Sequence, residues 1–575
     1  IIGYHGDREA AQIVHEGLKR LEYRGYDSAG VATLSPNPGL QLTKGEGEIA
    51  EIHEEKDFHE LDGSIGIGHT RWATHGEVNE DNAHPHTDCD ERLALVHNGI
   101  IENYEELKQD LGSHRFDSET DSEVVAHYFE ERIKEGSSFE EAIQDFFERA
   151  EGTFAIVILD RETGNLYALK RKSPLALGIG DGEHFLGSDL YAFSPYTDEA
   201  LFFEDDEYAI IDRDGAQVYT AEGETVTREP ETFDWEEREK TKDDHDHYMI
   251  KEIHEQPDAV GRLMQSLRTS QQDELERFVE LIEEHERVIF TAAGTSYHAS
   301  LLGVYFMQRC GVEAQALIAS EFKNYERVDD DTLVIAVSQS GETMDVLEAI
   351  DYSREEGGRI ASVVNVPHSS IQRESEVSLE VHAGQEVAVA STKAFTNQVV
   401  TLLEVARRLG ADVELEDIAS ELDRVIDANE ERVKDLAPEL ADADDVYVVG
   451  RGPTYPISRE IALKLKEIPY IHAEGMMGGE LKHGTLALIE EGTPVLSLIP
   501  DEDDEILSNV KEVESRGARS IRISPHYGGF EMPDAGPRFA LYATTIGFLL
   551  SYYIAKEKDL PIDKPRNLAK SVMVK

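Results

Sequence analysis

Two serines one residue apart close the apolar run Leu333 to Val337, where Ser338, Gln339, Ser340, Gly341, Glu342 and Thr343 precede a helical pattern starting near Met344. Hydroxyls and free backbone N–H groups at a helix start suit a phosphate, because the helix dipole favours an anion there. Gly294, Thr295 and Ser296 make a second small polar turn after an apolar run. The alternative is that these residues only cap and turn the chain, as serine and threonine commonly do. Lys464 and Glu467 lie one helical turn apart on one face, a spacing that on its own describes an exposed ion pair. Arg71 read alone is a surface ion-pair partner, and Asn98-Gly99 a hairpin turn. His84, His86 and Cys89 have ligand-like spacing, as do His245 and His247 among aspartates, but neither group makes a closed set, so no metal is expected.

The elements that must position these residues divide the chain in two. At 575 residues it exceeds the size at which one core keeps growing, so roughly two to four domains are expected. To about Ala221, amphipathic helices alternate with strand-like runs, as in Ala10, Ile13, Val14, Leu18 and Leu21 at helical spacing, Phe154 to Leu159, and a hairpin turning at Asp214-Gly215. That is an α+β pattern. From Glu222 to Asp246 charged residues dominate and apolar anchors are few, the composition of a linker. From Tyr248 onward strand and helix alternate, which predicts doubly wound α/β units. Val288 to Ser300 lines up with Val446 to Ser458, and Thr332 to Gly341 with Thr493 to Glu502, so two tandem copies of one fold are implied. The second copy places Pro500 and the acids Asp501 to Asp504 where the first has its serine turn. Those acids repel a phosphate, so the anion belongs to the first copy.

Charge excludes other functions. The chain has 55 Lys and Arg against 118 Asp and Glu, a formal net charge of −63 at pH 7. No basic stripe can neutralise a nucleic-acid backbone. The surplus acid is spread along the whole chain, which predicts a halophilic protein whose self-repulsion is screened by molar salt. No run of 18 apolar residues occurs, the most apolar stretch being broken by Thr544, Thr545 and Ser551, so no membrane segment is expected. With Cys89 and Cys310 alone there is no disulfide framework, and a cytoplasmic protein is expected.

The segments Ser338 to Thr343, Gly294 to Ser296, Ala390 to Gln398, Lys464 to Gly475, Gly479 to Gly484 and Pro565 to Lys575 resemble the sugar isomerase domains of glucosamine-6-phosphate synthases. Leu21 to Gly30, His69 to Gly76, Asn82 to His86 and His97 to Tyr104 resemble the same family's glutaminase domain. The resemblance covers essentially the whole chain. It implies an N-terminal nucleophile hydrolase-type glutaminase domain (1–221), an acidic linker (222–246), and two tandem doubly wound sugar isomerase domains (247–430 and 431–575), the last with a catalytic tail. Family members use an amino-terminal cysteine as nucleophile. The sequence begins at Ile1, where the pattern expects a preceding Cys-Gly pair; the reading is that a few leading residues precede it, the alternative a glutaminase half without activity.

The resemblance also implies roles. Arg71, Thr74 and His75 would hold the glutamine carboxylate, Asp121 its ammonium, Asn98 and Gly99 the oxyanion, and Trp72 the gate of an ammonia channel. Ser296, Ser338, Gln339, Ser340 and Thr343 would bind the sugar phosphate, and Val389 and Ser391 its hydroxyls. Lys570 would form a Schiff base with the open-chain ketose, Glu467 would carry a proton between C1 and C2 with Lys464 tuning it, and His483 would open the ring, acting on a neighbouring subunit's site. The expected substrates are L-glutamine and fructose-6-phosphate and the expected assembly is a homodimer, with no cofactor. The competing expectations are an isomerase using free ammonia and a sugar-phosphate sensor without catalysis.

Overall fold

Strand Gly152–Asp160 is buried along nearly its whole length, and its alternation explains why it reads as a continuous apolar run. Phe154, Ile156 and Ile158 face one core, while Ala155, Val157 and Leu159 face another, since successive side chains point to opposite sides of a strand. Both faces are therefore covered. The computed structural model describes residues 1–22, 25–37, 39–72, 76–112, 114–233, 242–500 and 504–571, and the chain divides into two compact units. One comprises Ile1–Glu239 with Ser571–Lys575, the other Lys240–Lys570.

In the first unit two antiparallel sheets lie face to face. In the eight-stranded sheet, Ile2–His5 pairs with Ile65–Arg71 on one side and His184–Gly187 on the other. In the seven-stranded sheet, Gly152–Asp160 lies between Leu93–Ile101 and Leu166–Arg171. Helices Ala10–Leu21 and Ile49–Lys56 cover the outer face of the first sheet. Tyr104–Asp110, Asp121–Lys134 and Phe139–Arg149 cover that of the second. The order is helix, sheet, sheet, helix. Part of the predicted linker is ordered: Thr225–Val226 and Glu231–Thr232 add short edge strands and Phe233 is buried. Residues 234–241 lie outside the described residues, and Lys242 to Asp246, the linker's end, fall in the second unit.

The second unit contains the two expected α/β copies. The first has a five-stranded parallel sheet in the order Ala314–Ile318, Arg287–Ala292, Thr332–Ser338, Arg359–Val364, Val377–Glu380. The second has four parallel strands in the order His472–Met477, Asp445–Gly450, Pro494–Leu498, Arg519–Ile523. Strands matched in the sequence repeat take matching places, and among the described residues the second copy has no fifth strand. Helix Ile418–Ala441 runs from one copy to the other, so the boundary expected at 430/431 falls inside a helix. The apolar stretch that stops short of a membrane span is helix Phe539–Glu557, buried in a core shared by both copies. Each of its fully buried large side chains contributes about 1.5–3 kcal/mol. Among the described residues no helix is long and apolar enough to cross a membrane.

Candidate active site

In the first unit, strand Leu93–Ile101 presents Asn98 and Gly99 near its end. Gly99 has φ of +124°, and a Cβ there would stand 2.0 Å from the Thr153 carbonyl oxygen, so only glycine fits. Burial holds the pKa of His69 well below the ordinary histidine value, which leaves a neutral ring. Its Nε2 lies 2.9 Å from Asn98 Oδ1. With Nε2 as the protonated nitrogen, the asparagine oxygen is occupied and its amide N–H groups are left to donate elsewhere.

Arg71 ends strand Ile65–Arg71 and is buried. Burial lowers its pKa, and the charges of Asp27 and Asp121 act against that loss. Asp121 opens helix Asp121–Lys134 behind the Thr120 cap, and its Oδ2 accepts the Ile101 N–H at 2.8 Å. A cation and a carboxylate thus lie within electrostatic reach of each other, the arrangement an α-amino acid needs at its two charged ends. Trp72 packs edge-on against Tyr26 with ring centroids 6.0 Å apart. Thr74 and His75 lie outside the described residues.

In the second unit the two polar turns sit at the carboxyl ends of Arg287–Ala292 and Thr332–Ser338. These strands are neighbours whose connections leave in opposite directions, the switch point where open α/β sheets bind ligands. Ser338 Oγ accepts the Gly341 N–H at 3.0 Å and lies 3.1 Å from Thr343 Oγ1. Ser340 Oγ accepts the Glu342 N–H at 3.2 Å, and Gln339 is half-buried beside it. Gly341 has φ of +67°, and a Cβ would come within 2.0 Å of Ser369 Oγ. Ser296, in the first turn of helix Gly294–Arg309, accepts from Gln398 Nε2 at 3.0 Å.

Two ionic clusters lie in the same unit, the first touching the turn at Thr295. Lys464 and Glu460 are fully buried on helix Thr454–Glu467. Lys464 Nζ stands 2.6 Å from Glu467 Oε2, 3.3 Å from Glu460 Oε1 and 2.9 Å from Thr295 Oγ1. Burial alone would strip its proton, but Glu460 and Glu467 outweigh that and hold its pKa above the ordinary lysine value. This pair is therefore not the exposed one that spacing alone suggests. A cavity of about 340 Å³ opens on Glu467 and is also lined by Tyr470, Arg566, Asn567 and Leu568.

In the second cluster Lys570 Nζ lies 2.6 Å from Glu386 Oε2 and donates to the Ala388 carbonyl at 2.9 Å. Ser391 Oγ donates to the same carboxylate at 2.8 Å, and the Val389 N–H donates to the Asp563 carbonyl. Burial alone would raise the pKa of Glu386, but Lys570 and the N–H groups of Ala394 and Thr392 hold it down at about 2. Glu252 accepts from the Val387 and Ala388 N–H groups. Burial and the charge of Glu386 push its pKa up to about 8.

Ser296 and the serine turn, Lys464 with Glu467, and Lys570 with Val389 and Ser391 are thus brought together in groups, the first two linked through Thr295. His483 is not among them: it is exposed on the turn Gly478–His483 and makes no hydrogen bond or ion pair to them among the described residues. Sequence reasoning missed Glu460, Glu386, Glu252 and Gln398. Glu460 could have been found, standing four residues before Lys464 on the same helix face. Glu386 lies in a loop with no periodicity to mark it.

Comparisons with known proteins match both units to known families. A glutamine amidotransferase domain family matches residues 69–195, and the SIS domain family matches residues 280–406 and 439–529. The glutamine–fructose-6-phosphate aminotransferase (isomerizing) of Thermococcus kodakarensis is 42% identical over 604 residues, covering 100% of this chain and 99% of that protein. That of Methanothermobacter thermautotrophicus is 41% identical, covering 99% and 98%. The solved carboxy-terminal domain of the Francisella tularensis glucosamine-fructose-6-phosphate aminotransferase superposes with a TM-score of 0.52 at 34% identity, covering 57% of this chain and 100% of that one.

Proposed function

The chain belongs to the glutamine–fructose-6-phosphate aminotransferase (isomerizing) family, and from that premise we propose how its residues divide the work. It is an enzyme that moves the amide nitrogen of L-glutamine to D-fructose-6-phosphate and isomerises the product to D-glucosamine-6-phosphate, releasing L-glutamate. In the first unit Arg71, with Thr74 and His75, takes the glutamine α-carboxylate and Asp121 its ammonium. Asn98, its oxygen engaged by His69, turns its N–H groups with that of Gly99 toward the oxyanion of the tetrahedral intermediate. Trp72 gates the path of the freed ammonia.

In the second unit Ser296, Ser338, Gln339, Ser340 and Thr343 hold the phosphate, and Val389 and Ser391 the sugar hydroxyls. Lys570 Nζ attacks C2 of the open-chain ketose and water leaves, giving an imine; ammonia then displaces the lysine. Glu467 takes a proton from C1 and returns one to C2, so that C1 becomes the aldehyde and C2 carries the amine. Lys464 keeps the Glu467 carboxylate in place between the two transfers. The observation that carries this reading is the buried Lys570 amine, held 2.6 Å from the Glu386 carboxylate beside Ser391. Borohydride added with fructose-6-phosphate should trap a covalent adduct on Lys570, and Lys570→Arg should lose it. An adduct on another residue, or none, would sink the assignment.

The exposed position of His483 supports a homodimer in which it opens the sugar ring at the neighbour's site. Mixing the two inactive variants Lys570→Ala and His483→Ala, with subunits free to exchange, should then restore roughly a quarter of wild-type activity, since half the dimers are mixed and each has one intact site. No recovery would place His483 in its own subunit's site. We also assign the protein to the cytoplasm and to molar salt, on the absence of a spanning helix among the described residues and on the charge.

A further inference from the structure

One side-chain cluster in the first unit has no part in either reaction. Cys89 follows strand His86–Thr87, His114 precedes helix Asp121–Lys134, and His127 and Glu130 lie one turn apart on that helix. Each offers one ligand-type atom, and the four atoms lie within 4.8 Å of one another. Cys89 Sγ is 3.7 Å from His114 Nδ1 and 3.6 Å from His127 Nδ1. Glu130 Oε2 is 3.0 Å from each of those nitrogens.

Tetrahedral zinc holds sulfur at about 2.3 Å and nitrogen or oxygen at about 2.0–2.1 Å, so its donors stand about 3.5 Å apart for S···N and about 3.3 Å for N···O. Four of the six separations here, two S···N and two N···O, already match to within a few tenths of an ångström. The outward nitrogen of His114 meets a carboxylate, as where an outer shell orients a metal-bound histidine, while that of His127 makes no hydrogen bond among the described residues. His114 Nε2 is 2.9 Å from Glu131 Oε2 and His127 Nε2 is 3.6 Å from Glu123 Oε1. The second oxygen of Glu130 is paired with Lys134. Both inward nitrogens converge on the one carboxylate oxygen that also accepts the Cys89 N–H at 3.1 Å. The ligand-like spacing in the sequence falls on other residues. His84 stacks on His69 at 4.2 Å and His86 Nε2 meets Thr120 Oγ1 at 3.1 Å, so of that set only Cys89 belongs here.

We propose that Cys89, His114, His127 and Glu130 bind one zinc ion. A thiolate and a carboxylate balance its charge, and four protein donors leave no position open, so the site is structural. It fastens the loops carrying Cys89 and His114 to helix Asp121–Lys134, whose first residue is Asp121, and so holds that carboxylate at the glutamine pocket.

The test uses the full chain stripped of metal by a chelator and titrated with cobalt(II), then zinc. Cobalt should produce a near-ultraviolet thiolate-to-metal charge-transfer band saturating at one ion per chain, and zinc should abolish it. Cys89→Ser should lack the band while Cys310→Ser keeps it. His114→Ala, on a loop, should weaken zinc binding by more than the roughly 10- to 100-fold that loss of an outer-shell partner costs. Zinc should raise the Tm of the wild type and not that of Cys89→Ser. A wild type with no band, a band unchanged in Cys89→Ser, or a Tm indifferent to zinc would overturn the proposal.

Discussion

Lys464 is where catalysis and stability are most tightly bound together, and replacing it with methionine separates them. The substitution keeps much of the side-chain volume and deletes the charge. Glu460, fully buried, is then left with a hydrogen bond from Thr295 and a contact to His298 Nδ1 at 2.7 Å. Removing one member of a buried pair costs about 3–5 kcal/mol, chiefly because the other charge stays desolvated. At about 1.4 °C per kcal/mol for a unit of this size, calorimetry should register a Tm lower by roughly 4–7 °C. Adding Glu460→Gln removes the orphaned charge and should return most of that loss. Activity should not return with it. Glu467 loses its partner at 2.6 Å in both variants, and a proton carrier out of position costs about 10²- to 10⁴-fold in product formation from ammonium. If the double variant regained activity along with stability, Lys464 would serve the fold alone. If Lys464→Met left the Tm unchanged, the buried pair itself would be in doubt.

Other outcomes follow from single positions. The Glu252 pKa is raised in the fold from 4.5 to about 8, so the stability linked to its proton is present below about pH 4.5 and lost as pH rises through about 8. Glu252→Gln should therefore match the wild type in Tm near pH 5 and exceed it near pH 9; equal midpoints throughout would contradict the shift. Gly99→Ala, whose Cβ meets the Thr153 carbonyl at 2.0 Å, should lose at least about 10²-fold in glutamine-dependent turnover. It should spare turnover from ammonium, and equal losses in both assays would argue against a role confined to glutamine. Self-repulsion at a net charge of −63 is screened over about 3 Å in molar salt and about 10 Å at 0.1 M. The Tm should climb steadily as potassium chloride is raised over that range, and a Tm already maximal in dilute buffer would remove the case for salt adaptation.

Much of this is legible in the sequence alone. The serine turn could be placed because a strand, a run of hydroxyls and a helix follow one another along the chain, and the tandem repeat showed which copy it served. The motifs around Arg71, Asn98 and Lys570 could be matched because each is contiguous in sequence. What escaped was contact between distant segments. Glu386 holds Lys570 across 184 residues, and Glu252 reaches the Glu386 loop from the opening helix of the unit. Neither link leaves a periodicity or a spacing to read. The four candidate metal donors are spread from Cys89 to Glu130, and the ligand-like trio at His84, His86 and Cys89 drew attention to a set that the fold pulls apart. Local spacing also misjudged burial: Lys464 and Glu467 have the separation of a solvated pair, and only the packing of helix Thr454–Glu467 against its neighbours puts Lys464 out of reach of water.

The most direct test of the whole account follows one nitrogen atom. The full-length protein, in molar potassium chloride, is given glutamine labelled with ¹⁵N in the amide and unlabelled fructose-6-phosphate, with excess unlabelled ammonium as competitor. Coupling of two sites predicts glucosamine-6-phosphate carrying the label despite that competitor, together with one glutamate per product. Product whose nitrogen comes from the ammonium pool, or fructose-6-phosphate bound and returned unchanged, would contradict it.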